Sequence, residues 1–172
     1  VILMAKAFPQ SRFVGIDISP EAIDEARRQA RRQKIENLVF SVLDAADLKN
    51  KSEMKGLFDY VTAFDAIHDQ VKPLNVLKGI YRTLKSDGIY LMQDIRGSSY
   101  VYKNVDHPIG TFIYTISTMH CMTVSLSQGG EGLGAMWGEE KAREYLGNAG
   151  FKTIETNQMA HDIQNNWYVV RK

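Results

Sequence analysis

The chain has 172 residues, 44% of them apolar and 24% charged, with a formal net charge of +1. That length fits one domain on the usual prior of roughly 100–200 residues, and it supports a hydrophobic core without disulfides or metals. The near-neutral balance points away from a nucleic-acid backbone or an anionic membrane as partner, and no apolar run reaches the ~18–20 residues needed to span a bilayer.

Cys121 is the only cysteine. It excludes an intrachain disulfide and, since cysteine metal sites need several thiolates, a metal centre of that kind. A reducing, cytoplasmic compartment is the expectation, and no metal is expected. Val1-Ile2-Leu3-Met4-Ala5-Lys6 lacks the basic stretch and cleavage site of a signal peptide. Val1 is not an initiator methionine and the first residues read as the end of a helix, so a fragment, a processed form or a truncated variant is expected.

In chain order, Val1–Phe8 is helix-compatible and Pro9 stops it. Arg12–Ile18 is a nearly all-apolar run that suits a parallel strand buried on both faces. Ser19-Pro20-Glu21 opens a helix with a cap, a proline at the first position and an acid in the first turn, running to about Gln33. Arg27, Arg28, Arg31, Arg32 and Lys34 form a solvated face of that helix. Leu38–Leu43 and Tyr60–Phe64 read as strands, Val71–Leu84 as a helix, Asp87-Gly88 as a turn and Ile89–Gln93 as a further strand.

The rhythm breaks at about residues 96–135, a segment rich in aromatics, Met, Ser and Thr, with a helix expected around Ile109–Met119 and a strand-like run at Met122–Leu126. This segment reads as a lid or substrate-region insertion, its Tyr100–Met122 part shaping a substrate pocket. Trp137–Leu146 is a helix ended by Gly147-Asn148-Ala149-Gly150, and Phe151–Gln158 and Trp167–Val170 are the last strands. Alternating strand and helix predicts an α/β, Rossmann-like, doubly wound and mostly parallel sheet with a C-terminal antiparallel strand, and ligands bound at the C-terminal edge of the parallel strands.

Strands end at or just before Asp17, Asp44, Asp65 and Asp94, which should therefore share that edge. Asp17 can accept hydrogen bonds from both ribose hydroxyls of a nucleoside cofactor; the alternative is a strand end that caps the next helix. Asp44, followed by the small Ala45, suits an adenine edge, or is an ordinary turn aspartate.

FVGIDISPEAI, LDAADL, FDYVTAFDAIHD and LKSDGIYLMQDI, taken in this order and spacing, resemble the motifs of class I S-adenosylmethionine-dependent methyltransferases. FDAIHD, GEGLGAMWGEE and the tail HDIQNNWYVVRK resemble one subgroup of them, and the resemblance covers essentially residues 1–172. It implies that Asp17 binds the ribose, Ile18 packs on the adenine, Asp44 and Ala45 hold its edge, and Phe64 and Asp65 line the pocket near the methionine part. It implies S-adenosylmethionine as cofactor and methyl transfer to a small-molecule nucleophile. Members carry an acidic-Gly-x-Gly-x-Gly loop after a first strand that is central in their sheet, and here neither is found, so a gap in the sheet and doubtful cofactor binding by this chain alone are expected. The winged-helix-like segment that usually precedes the domain in the subgroup is not found here either.

Gly130-x-Gly132-x-Gly134 could be that loop in a permuted domain, or a hinge. His68, just beyond Phe64, could accept a proton from a hydroxyl or amine nucleophile, or it could cap a helix or bond to Asp69. His161 reaches the ligand edge if Phe151–Gln158 runs parallel to the other strands. His107 and His120 read as lid or structural residues, and a metal site from His68, His107, His120 and Asp94 lacks ligand spacing. The Asn-Pro-Pro-aromatic tetrad of many amide and nucleobase N-methyltransferases is replaced by Asp65-Ala66-Ile67-His68. Two alternatives stand beside methyl transfer: a truncated, inactive methyltransferase-fold subunit that pairs an open sheet edge with another chain, as in a homodimer, and a nicotinamide-dependent oxidoreductase.

Overall fold

The computed structural model describes residues 1–172. α1 (Ile2–Ala7) ends before Pro9, and β1 (Phe13–Asp17), α2 (Pro20–Arg32) and β2 (Leu38–Val42) follow. Ser19 caps α2 as expected: its Oγ accepts the Ala22 N–H at 3.1 Å, with Pro20 at the first helical position. β1 and β2 pair in parallel, Phe13 opposite Leu38 and Asp17 opposite Val42. Asn37 secures the entry to this pair, its Nδ2 donating to the carbonyls of Ala5 (3.0 Å), Phe8 (3.2 Å) and Ser11 (2.8 Å). These elements make a first compact unit, Val1–Asp47.

The second unit, Leu48–Lys172, contains β3 (Phe58–Phe64), α3 (Pro73–Thr83), β4 (Leu84–Ile95), α4 (Gly110–Ile116), a π-helical turn (Ser117–Cys121), α5 (Met122–Ser127), α6 (Gly138–Ala149), β5 (Thr153–Asn157) and β6 (Asn165–Arg171). Its sheet runs β3-β4-β6-β5. β3 is parallel to β4, and β6 is antiparallel to both of its neighbours, so β5 points the same way as β4. β6 is thus the expected C-terminal antiparallel strand. The core joins Leu77 and Ile80 of α3 and Ala142 and Leu146 of α6 to Tyr90, Met92, Tyr168 and Val170 of the sheet. Each fully buried leucine contributes about 1.5–3 kcal/mol relative to exposure.

The two sheets share no ladder. β1 and β2 have only each other as strand partners, so the expectation of a β1 buried on both faces is corrected: Val14 is 41% and Val39 62% exposed. The run Met122–Leu126, read as strand-like, is helical. The reason lies in packing. Ile113, Ser117, Cys121 and Ser125 are buried at intervals of four, a repeat longer than the α-helical 3.6, and the wider π turn keeps the four on one side. The Asp87-Gly88 turn is absorbed into β4 as an irregularity, where pairing jumps from Phe58–Leu84 to Tyr60–Ile89.

Candidate functional site

The residues singled out from the sequence divide between the two units. In the first, Asp17 and Asp44 stand at the C-terminal ends of adjacent parallel strands, joined there by the Leu43 N–H donating to the Asp17 carbonyl at 2.9 Å. Each carboxylate uses Oδ1 for a local turn, accepting from Ser19 N–H and from Ala46 N–H respectively, both at 2.8 Å. Both side chains are exposed, Ile18 lies 66% exposed between β1 and the cap of α2, and Ala45 opens a 3-10 turn, Ala45–Asn50. The turn role that was the alternative for Asp44 therefore occupies one of its oxygens, while the cap of α2, the alternative for Asp17, is made by Ser19.

In the second unit Asp65 follows β3 with its N–H on the Gln93 carbonyl at 2.9 Å. Its φ is +46°, in the left-handed region that few non-glycine residues other than Asn and Asp enter. Gln93 Nε2 donates to its Oδ2 at 3.1 Å, while the buried Oδ1 has no partner. Burial, then the nearby Asp94 carboxylate, raises the Asp65 pKa. Phe64 is half exposed and its ring lies 5.8 Å from that of Trp167.

His68 is buried rather than open to a substrate. Its Nδ1 lies 2.7 Å from Asp94 Oδ1, and its Nε2 lies 3.2 Å from Asp69 Oδ1. Burial alone would lower its pKa; the Asp94 hydrogen bond and the charges of Asp94, Asp69 and Asp65 outweigh that and raise it. Asp94 is wholly buried, and the same Oδ1 also accepts the Trp137 indole N–H at 3.0 Å and the Ile95 N–H at 2.8 Å. Sequence reasoning placed Asp94 on the edge but missed its bond to His68, and it missed Trp137 altogether. Within GEGLGAMWGEE only the polar edge of that indole hinted at a buried partner. Cys121 lies buried on the π turn, and burial, then the neighbouring Asp69 carboxylate, pushes its thiol up to about 12.

β5 does run parallel to β4, so the turn carrying His161 and Asp162 reaches the same edge. Asp162, not His161, is the organised residue there. It accepts from Gln164 N–H (3.1 Å), Asn165 N–H (3.1 Å) and Trp167 Nε1 (3.0 Å). Burial works against its charge, but these bonds hold its pKa below the usual range. His107 donates from Nε2 to the Arg96 carbonyl at 2.9 Å and accepts the Ile109 N–H on Nδ1, and His120 is exposed, so the imagined four-residue metal group is not assembled.

The glycine run is corrected too: the helix α5 precedes it, not a strand. Its backbone packs on the α4–α5 segment, Gly132 N–H and Ala135 N–H donating to Ser125 Oγ (3.1 Å) and Ser117 Oγ (2.9 Å). A Cβ on Gly134, at φ +71°, would sit 2.4 Å from Ser117 Oγ. The glycines allow this close approach within the chain itself. Beyond Gly138, Glu140 accepts from Ser98 Oγ and Ser99 N–H, both at 2.8 Å, beside a polar cleft lined by Arg96, His107 and Arg143.

A family of methyltransferase domains matches residues 1–162. The chain belongs to that methyltransferase-domain family. A relative, juvenile hormone acid O-methyltransferase of Drosophila melanogaster, is 31% identical over 94 residues, 55% of this chain and 31% of its own length. Among solved structures, an O-methyltransferase family protein from Burkholderia thailandensis superposes with a TM-score of 0.71 at 15% identity, over 98% of this chain and 47% of that one. The trans-methyltransferase CalH in complex with S-adenosylhomocysteine gives 0.63 at 22% identity, over 93% and 42%. These likenesses establish the Rossmann-like methyltransferase fold. This chain spans less than half the length of each of these proteins. No helix is long and apolar enough to cross a membrane.

Proposed function

We propose that this domain serves methyl transfer from S-adenosylmethionine to an oxygen nucleophile of a small molecule. The observation that carries the reading is the pair Asp17 and Asp44, exposed at the C-terminal ends of adjacent parallel strands with Ile18 beside them. Two acceptors and one apolar side chain match an adenosine, whose ribose hydroxyls and exocyclic amine are donors and whose ring offers a flat apolar face. On this reading the Asp17 carboxylate takes the ribose hydroxyls, Ile18 the ring, and Asp44 with Ala45 the adenine edge. The cofactor's sulfonium supplies the activated methyl group, and the protein's share is positioning. Segment 96–135 shapes the acceptor's pocket. His68, buried and bonded through Nδ1 to Asp94, is not assigned a proton-transfer role. An oxygen acceptor is favoured by the relative that methylates juvenile hormone acid, and methyl transfer over hydride transfer by the family match.

The test is calorimetric titration of S-adenosylmethionine with the chain and its variants. Asp17→Ala and Asp44→Ala should each weaken binding ~10–100-fold, the scale of a lost hydrogen bond to a charged group, with circular dichroism unchanged. Unaltered affinity in both variants would overturn the assignment.

A further inference from the structure

We infer that His68, Asp69 and Cys121 form a binding site for a borderline divalent cation of the zinc type. One donor atom from each, the His68 ring nitrogen, an Asp69 carboxylate oxygen and the Cys121 Sγ, lies within 4.8 Å of the others. The donors come from two separate segments, the turn after β3 and the π turn between α4 and α5. Nitrogen, oxygen and sulfur together select zinc or cobalt over magnesium or calcium, which require oxygen alone.

Three independent features point to a cation. First, His68 Nε2 and Asp69 Oδ1 are 3.2 Å apart, yet Asp69 Oδ1 has no hydrogen bond and is shielded from solvent. A close pair without a hydrogen bond suits two ligands of one ion: bonds of about 2.0–2.1 Å in tetrahedral array put ligand atoms roughly 3.3 Å apart. Second, His68 offers Nε2 inward while Nδ1 is bonded to the wholly buried Asp94 at 2.7 Å. A carboxylate behind the imidazole is the usual support of a metal-bound histidine, fixing its tautomer and raising its basicity. Third, the charges do not balance. Asp65, Asp69 and Asp94 surround one imidazole, the Asp94 Oδ2 is buried without a partner, and no lysine or arginine bridges any of the three. The wholly buried Asp94 carboxylate is costly without a cation nearby, and a divalent ion on His68 would offset that charge.

Asp69 is the partly exposed member, at 32% of its side chain, and gives the ion a path in. Binding displaces the Cys121 thiol proton and any proton on His68 to solvent, so apparent affinity must rise with pH. Three protein ligands leave a fourth position for water.

The experiment titrates Co2+, then Zn2+, into chelator-treated chain and records the absorption spectrum. The expected result is a thiolate-to-cobalt charge-transfer band with visible ligand-field bands, both abolished by one equivalent of Zn2+. Cys121→Ser should lose the charge-transfer band, and His68→Asn should weaken Zn2+ binding at least ~10-fold. Asp94→Asn, acting through His68, should weaken it ~10–100-fold. If Asp94→Asn fails to fold, the spectrum of the unaltered chain still decides. Absence of the thiolate band from the unaltered chain, zinc uptake well below one per chain, or a band that survives Cys121→Ser would each overturn the site. The readout does not depend on methyl transfer or on the reading of Asp17 and Asp44.

Discussion

Trp137 donates its indole N–H to Asp94 Oδ1 at 3.0 Å, tying the loop before α6 to the end of β4 deep inside the second unit. The acceptor is a wholly buried carboxylate whose other oxygen has no partner. Trp137→Phe keeps the ring against Tyr145 but deletes the donor. It should cost about 1.5–3 kcal/mol, the range for a hydrogen bond to a charged group. Urea denaturation followed by the fluorescence of the remaining Trp167 measures it. A loss under 0.5 kcal/mol, on the order of a surface substitution, would mean that Asp94 is held without the indole.

Glu140 is the anion that gathers Ser98, Ser99 and Lys103 in front of α6. Burial opposes its charge, but the Ser99 N–H and Ser98 hydroxyl bonds hold its pKa at about 2. Folding therefore releases a proton from Glu140 at intermediate pH. Its stabilising contribution is present above the ordinary glutamate value and disappears as pH falls through about 2. The side chain is 42% exposed, so solvent screening reduces the contribution to about 1 kcal/mol. Stability curves of the unaltered chain and Glu140→Gln should differ by that amount at neutral pH and converge as pH drops from about 4 towards 2. Parallel curves over that window would contradict the assignment.

Gly138 begins α6 with φ at +79°, and a Cβ there would lie 2.1 Å from the Ser99 backbone nitrogen. The residue is needed both for its backbone angle and for the missing atom. Gly138→Ala should cost about 2–5 kcal/mol, combining left-handed strain with overpacking, and should be visible as a lowered urea midpoint. Gly147→Ala, in the last turn of the same helix with nothing near its Cβ, should instead stabilise slightly, by roughly 0.5–1 kcal/mol.

Asn37 closes the first unit with a single side-chain nitrogen serving the Ala5, Phe8 and Ser11 carbonyls. Asn37→Ala should free α1 before anything else. Amide hydrogen exchange is expected to accelerate across residues 2–12 while β3 to β6 keep their protection. Uniform acceleration over the whole chain would show that α1 is not held by this residue.

Where local chemistry set the structure, the sequence could be read. Ser19-Pro20-Glu21 specified a helix start, Gly150 in the left-handed region its counterpart at the end of α6, and the aspartates at strand ends fell where strand polarity puts them. What escaped was set by distant partners. The strand-like reading of Met122–Leu126 gave way because packing at intervals of four overrode weak β-propensity. His68 and Trp137 lie far apart in sequence, and nothing local to either announces that both bind Asp94. Gly134 looked like part of a ligand loop because a glycine pattern does not say whether a cofactor or a serine hydroxyl comes close.

The π turn at Ser117–Cys121 makes this stretch sensitive to residue number more than to residue type. Removing one position from it would relax the turn to α geometry and leave Ile113 and Ser125 eleven residues apart, about three turns of 3.6 residues, so Ser125 would stay on the buried side. Inserting a further residue would instead turn everything downstream by about 100° and carry Ser125 out of the interior. Relatives that keep this architecture can therefore change many letters between Ile113 and Ser125, and can lose one position at the π turn, but a gained one must be matched by a compensating loss.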